Sequence, residues 1–165
     1  MQKGSGYTLL ELILVLGLIA VISAIAAPNI ADWRKNATYR SAAREVYAAL
    51  QQARGMAISR NREYRLEIDF AADRYQIQEG NLAANTQNSD WTAVSTWVDL
   101  PNAIDAIGNK ACNKTTGSEY YHFNPNGSAN NEFYICITEQ GDPQFQIAVR
   151  NRTTGIPELR KGVYP

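Results

Sequence analysis

Glu11 is a lone carboxylate inside a long apolar stretch near the start of the chain. It is the only charged side chain between residues 7 and 27. As a helix this stretch would be about 30 Å long, which matches the hydrocarbon core of a bilayer. An ionised side chain near the centre of such a span costs roughly 2.5 to 3.5 kcal/mol, and somewhat less near its end. We therefore expect Glu11 to meet a cationic partner inside the membrane or inside a protein assembly.

Two cysteines form a second candidate site. Cys112 lies in the polar stretch 108–119, and Cys136 lies on a predicted strand, on the face opposite to Phe133, Ile135 and Ile137. Two thiols usually form a disulfide if their domain is exported to an oxidising compartment, and the alternative is two unpaired thiols. A bridge would close a loop of about 24 residues and stabilise the fold by roughly 3 kcal/mol in the chain-entropy model.

The residue pattern argues against an enzyme. His122 is the only histidine, and no Cys, Asp or Glu stands at metal-ligand spacing from it. A lone histidine on a strand is more often structural than catalytic. Neither a glycine-rich phosphate loop nor a nucleophile elbow is present. The aspartates that could act in acid–base chemistry are scattered over strands and turns: Asp69, Asp73, Asp99 and Asp105. We predict no catalytic residues, no metal and no cofactor.

Length and charge fit one membrane helix followed by one soluble domain. Of the 165 residues, roughly 100 remain after the helical stem, enough for a single modest core. The 16 basic and 16 acidic residues cancel. No global field therefore attracts nucleic acid or an acidic substrate, and any such affinity must be local.

The helix is predicted to continue beyond the apolar stretch, over residues 28–61. Neither Gly nor Pro occurs between Pro28 and Gly55. Apolar residues recur there at three- and four-residue spacing, which predicts one buried stripe: Ala42, Ala43, Val46, Ala49, Leu50, Ala53 and Ala57.

A β-domain is predicted for residues 62–165, because the period changes to two after Glu63. Residues 64–70 and 75–78 form a predicted hairpin, residues 80–90 an exposed loop, and Trp91 to Leu100 a strand that Pro101 ends. The remaining predicted strands cover 120–123, 133–138 and 145–150, with turns at 124–127 and 140–143.

The first residues resemble the class III leader of type IV pilins and of the related pseudopilins of type II secretion. The resemblance implies that residues 1–6 are a leader, that prepilin peptidase cuts after Gly6, and that Tyr7 is then N-methylated. Glu11 becomes the fifth mature residue, and Pro28 the twenty-second, where these helices commonly bend. The chain departs from the family in having Tyr7 where Phe is usual.

Two other interpretations of the N-terminus remain open. The first is an ordinary secretory signal peptide on a non-pilin exported binding domain, with its apolar core at 12–22 and its cleavage site at residues 24–26. Against this interpretation, Glu11 cancels the charge of Lys3, and Pro28 lies close behind the cut. The second alternative is a plain membrane anchor.

Three phrases further along resemble the GspH/FimT class of pilin-like proteins: residues 53–57, residues 123–127, and residues 149–152 with Gly155. The resemblance implies an α+β fold, in which a long N-terminal helical stem, half of it transmembrane, packs on a C-terminal antiparallel β-sheet or β-sandwich. It implies an H-type pseudopilin of type II secretion or a type IV minor pilin, and nothing in the sequence separates the two.

Partners and location follow from the same resemblance. The stem would assemble with other pilins or pseudopilins, after contact with prepilin peptidase and the inner-membrane assembly platform. The protein would cross the bacterial inner membrane once, with its C-terminal domain in the periplasm, before it enters a pilus or pseudopilus.

Nucleic acid is predicted to be an unlikely partner. Some minor pilins of this class bind DNA through a Gly-Arg-x-Arg motif, and a DNA-uptake role is the alternative for this chain. The matching stretch here is Gly155-Ile156-Pro157-Glu158, which lacks both arginines. Basic residues nearby could still engage phosphates weakly from a mobile tail: Arg150, Arg152, Arg160 and Lys161.

Overall fold

The computed structural model describes residues 7–81, 90–101, 105–113, 116–139 and 141–163, with side chains at all of these except 25–32, 105 and 107. Three predicted features lie outside this description: Gly6, most of the loop at 80–90, and residue 140 of the second turn. The side chain of Pro28 also lies outside it. The described residues fall into two compact units, which divide between Ala37 and Thr38.

One helix, α1 (Leu9–Arg60), runs through both units. It ends because Asn61 adopts a positive φ of 52°. The Arg62 N–H then donates to the Ala57 carbonyl at 3.3 Å. This is the Schellman arrangement, with asparagine in the place where glycine is usual. Among the described residues, no helix combines the length and the apolar character needed to cross a membrane.

The described strands form two antiparallel sheets. In chain order they are β1 (Tyr64–Asp69), β2 (Arg74–Gly80), β3 (Trp91–Ala93), β4 (Val98–Asp99), β5 (Asp105–Gly108), β6 (Ser118–Phe123), β7 (Phe133–Glu139), β8 (Asp142–Val149) and β9 (Glu158–Lys161). The first sheet has the order β3-β2-β1-β6, with β4 also paired to β2. The second has the order β5-β7-β8-β9. The predicted α+β class is confirmed.

The main hydrophobic core among the described residues of the second unit is shared by α1 and both sheets. All seven residues of the predicted helical stripe are buried in it, so that prediction is confirmed. Five of the seven are alanines, whose small side chains allow close packing. The Tyr75 hydroxyl donates to Glu45 Oε1 at 3.0 Å and links β2 to the helix. Burial, followed by the charge of Glu45 and this hydrogen bond, raises the pKa of Tyr75.

The prediction of one strand from Trp91 to Leu100 is wrong, because the ladder breaks between β3 and β4. The N–H groups of Val94 and Ser95 both donate to the Ile77 carbonyl, at 2.9 and 3.4 Å. The Ser95 hydroxyl accepts from the Ile77 N–H at 2.8 Å. These three hydrogen bonds all involve Ile77, so the regular residue-by-residue pairing with β2 is interrupted there.

The predicted mobile tail is also wrong, since Arg160 and Lys161 belong to strand β9. They lie opposite Gln146 and Phe145 of β8. The predicted turn at 124–127 does exist, with the Gly127 N–H donating to the Asn124 carbonyl at 2.8 Å. It connects β6 and β7, which belong to different sheets, so it is a crossover between sheets.

Candidate functional site

The N-terminal part of α1 displays apolar side chains on every side. All side chains from Tyr7 to Ala24 are exposed, including those of the large aliphatic residues. A helix that is apolar all round normally lies inside a membrane or inside an assembly of proteins. This surface therefore needs a cover that the single chain does not supply within its described residues.

Glu11 occupies the third position of the helix, behind a Thr8 cap. The Thr8 hydroxyl accepts from the Glu11 N–H at 3.2 Å, and the Thr8 carbonyl accepts from the Leu12 N–H at 3.2 Å. Thr8-x-x-Glu11 is the sequence of a capping box, and an acid in the first turn also suits the helix dipole. This spacing is visible in the sequence, although only an assembly role was predicted for Glu11.

At the other end of α1, Arg54 holds two turns of the β-domain. Its Nε donates to the Gly127 carbonyl at 3.0 Å and to the Thr154 carbonyl at 3.2 Å. Its Nη2 donates to the Thr154 carbonyl at 2.9 Å. Three charge-assisted bonds thus join the helix to the turns at 124–127 and 151–155.

Gly155 lets the same two turns touch. Its φ is +59°, and a Cβ at this position would overlap the Gly127 carbonyl oxygen and lie 3.0 Å from the Ser128 carbonyl carbon. The Gly155 N–H also donates to the Asn151 carbonyl at 2.9 Å, which closes the turn at 151–155. The three phrases that carry the family resemblance therefore meet at one junction, where they have a structural task.

An open polar cavity of about 790 Å³ lies beside this junction. Its walls carry amides, hydroxyls and one guanidinium, from Asn61, Asn124, Asn126, Asn130, Ser128, Thr153 and Arg152. Arg152 is the only member of the predicted basic set that lines it. Arg160 and Lys161 are successive strand residues and so point to opposite faces of the second sheet. The structure does not gather Arg150, Arg152, Arg160 and Lys161 into one site.

Cys112 and Cys136 are joined by a disulfide, with their Cα atoms 5.6 Å apart. The bridge ties the loop after β5 to strand β7. Gln146 covers it, because its Nε2 lies 3.4 Å from Cys112 Sγ and 3.3 Å from Cys136 Sγ. The same nitrogen donates to the Lys110 carbonyl at 3.1 Å and so holds the loop a second time.

His122 lies on β6 among aromatic side chains. The Trp91 ring meets it edge-on, with the ring centroids 5.0 Å apart. Burial, and next the positive charge of Arg65, lowers the pKa of His122. Among the residues with described coordinates, no cluster of three or more His, Cys, Asp or Glu side chains could hold a metal.

Comparison with known proteins gives a family and several similar structures. Residues 42–155 match the family described as type II transport protein GspH. The structure resembles the type IV minor pilin FimU of Pseudomonas aeruginosa, with a TM-score of 0.55, 19% identity, and coverage of 78% of this chain and 92% of that one. It also resembles the minor pseudopilin EpsH of the Vibrio cholerae type II secretion system, with a TM-score of 0.60, 14% identity, and coverage of 79% and 98%.

At such identities, these two structures support the fold alone. No curated protein shows significant similarity to the chain. The family match covers well over half of the 165 residues. The chain belongs to the GspH family of type II transport proteins.

Proposed function

We propose that the protein is a minor pilin or pseudopilin subunit that assembles through its N-terminal helix. Residues 7–27 insert in the inner membrane, the leader 1–6 is removed after Gly6, and Tyr7 is N-methylated. The domain from residue 62 onward lies in the periplasm. The observation that carries this proposal is the apolar helix surface between Tyr7 and Ala24, which is exposed on every side.

Glu11 pairs with the methylated terminal amine of a neighbouring subunit in this proposal. A carboxylate buried without a partner is strongly unfavourable, whereas a paired one is tolerated. Pairing therefore sets the register between stems, while aliphatic side chains leave lipid for contact with other stems. As a minor component, the subunit starts or caps a filament that a more abundant pilin extends.

The test separates the charge of Glu11 from its place in the capping box. Glu11→Gln keeps a side chain that suits the box but removes the charge, whereas Thr8→Val removes the cap and keeps the charge. We expect Glu11→Gln, like Glu11→Ala, to be processed normally but to be depleted in sheared filaments. Thr8→Val should incorporate well, because a lost cap costs only about 1 kcal/mol. If Glu11→Gln incorporated well and Thr8→Val were depleted, Glu11 would act only as part of the helix cap.

Processing has its own measurement. The mature protein should start at N-methylated Tyr7, with a mass lower by the six leader residues and higher by one methyl group. Gly6→Leu should leave the full-length precursor in the inner membrane. Cleavage near Ala26 would support the signal-peptide alternative and would sink the proposal.

Two machines remain candidates for this subunit. Deletion of the gene should abolish protein export if the subunit serves a type II secretion pseudopilus. It should abolish pilus display if the subunit serves a type IV pilus, and DNA uptake as well if the alternative role applies.

A further inference from the structure

The face of the first sheet that points away from the core carries a stacked arginine. Tyr64 and Leu66 of β1 are buried in the core, so Arg65 between them points to the opposite face. Arg65 lies in register with Gln78 on one side and with His122 on the other.

Two aromatic rings enclose the Arg65 guanidinium. Its central carbon lies 4.1 Å from the centroid of Trp91 and 4.0 Å from that of Tyr120. Arginine favours such stacking because its guanidinium is planar and weakly hydrated. Trp91 belongs to β3 and Tyr120 to β6, and these strands lie on either side of β1. The order of strands in the sheet therefore brings the two rings to Arg65.

A chain of hydrogen bonds that begins at Gln78 fixes the Arg65 guanidinium. Arg65 Nε donates to Gln78 Oε1 at 2.6 Å. The Nε2 atoms of Gln78 and Gln76 each donate to Glu67 Oε2 at 2.6 Å. Arg65 is therefore held in one orientation, and ligand binding would order it little further.

The outer edge of Arg65 remains available. Neither Nη1 nor Nη2 donates a hydrogen bond to any residue whose coordinates are described. Glu67 attracts Arg65 electrostatically, but its Oε2 is already shared by the two glutamines. Arg65 is partly buried, and burial, which takes water from the cation, lowers its pKa. Tyr120 is 44% exposed and Arg65 is partly exposed, so a ligand can reach the site as far as the described residues are concerned.

We propose that the edge formed by Arg65, Trp91 and Tyr120 binds an aspartate or glutamate side chain of a partner polypeptide. A planar guanidinium with two free η nitrogens matches a carboxylate bidentately. Trp, Tyr and Arg are also the residues that most often dominate binding energy at protein interfaces. This surface is separate from the stem, and its proposed role does not depend on Glu11.

The same geometry disfavours a nucleic acid strand. Single-stranded nucleic acids bind by stacking bases on aromatic rings along a basic groove. Here the guanidinium already covers the facing sides of both rings.

The test uses the full chain in detergent micelles and an acetylated, amidated tri-glutamate peptide. The measured quantity is the shift of the Trp91 indole N–H signal, assigned through Trp91→Phe. We expect a saturable shift with tri-glutamate and none with tri-glutamine. Arg65→Gln should weaken binding at least tenfold, because it removes a charge-assisted bidentate pair. Arg65→Lys, which keeps the charge without the fork, should fall between.

Arg74→Gln is the matched control. Arg74 also lies on this sheet and stacks on an aromatic ring, 4.5 Å from the Trp97 centroid, but it already pairs with Asp69 at 3.3 Å. We expect this variant to bind tri-glutamate as the wild type does. The proposal is overturned by an absent shift, by equal binding of tri-glutamine, or by unchanged affinity in a folded Arg65→Gln protein. Equal weakening in Arg74→Gln, or tighter Arg65-dependent binding of a ten-residue oligothymidylate, overturns it as well.

Discussion

His122 is the single histidine of the chain, and its surroundings favour the neutral ring. Trp91 and Tyr120 lie beside it on the same face. Burial and the cation of Arg65 lower its pKa, while the charge of Glu63 raises it. Burial is the largest of these effects, so the folded protein resists protonation of this imidazole more than the unfolded chain does.

This depressed pKa predicts a loss of stability in mild acid. Unfolded histidine titrates near pH 6.5. Below that pH the unfolded chain binds a proton that the folded chain does not, so the free energy of unfolding falls as pH falls toward the folded pKa. We expect His122→Gln to flatten this slope between about pH 7 and pH 5. Urea unfolding at several pH values measures this slope. An unchanged slope in His122→Gln would show that His122 does not cause the loss of stability in acid.

At the scale of elements, the junction of α1 with the turns at 124–127 and 151–155 should be the most sensitive point. We expect Gly155→Ala to lower the free energy of unfolding by about 3 kcal/mol or more, because it adds backbone overlap to an unfavourable φ. Gly117→Ala is the control, since Gly117 has a φ of +81° but open space around its Cβ position. Denaturant unfolding should show a clearly smaller loss for the control. Equal losses would mean that the close approach to Gly127 has no energetic weight.

The disulfide is the second element-scale prediction. Native protein should show no free thiol, and Cys112→Ser should lower the free energy of unfolding by roughly 3 kcal/mol. For a domain of this size the melting temperature should fall by roughly 10 °C. Reduced wild-type protein should melt close to the variant, since both lack the covalent link. Quantitative thiol labelling of native material would contradict the bridge.

Element prediction succeeded where a periodic pattern was long and failed where it was short. The helical stripe from Ala42 to Ala57 and the alternation of β1 extend over several repeats, so burial follows from spacing. β9 has a single apolar residue, Leu159, within four positions. The break beside Ser95 depends on hydrogen bonds to Ile77, which is distant in sequence. Arg65 was only one polar residue of an alternating strand until the fold placed two rings around it.

At the scale of the whole molecule, charge determines what the protein attracts. The net charge is zero, and the four basic residues near the C-terminus are not gathered in one site. We expect weak or undetectable binding of duplex DNA near physiological salt, measured by fluorescence anisotropy with the full chain in detergent. If three phosphates were bound, affinity would fall about forty-fold between roughly 50 and 200 mM salt. Micromolar binding that Arg160→Ala and Lys161→Ala abolish would instead favour the DNA-uptake role.

The bridge between Cys112 and Cys136 also limits how far the chain can lengthen under tension. When a force pulls the α1 and β9 ends of an oxidised chain apart, the covalent bond bypasses the residues between the two cysteines. Those residues would otherwise add about 80 Å of contour length, at roughly 3.4 Å each. Strand β6 lies within this bypassed loop. An oxidised chain that yields to force therefore keeps β6 in a closed loop, from which its pairing with β1 can re-form when the tension drops.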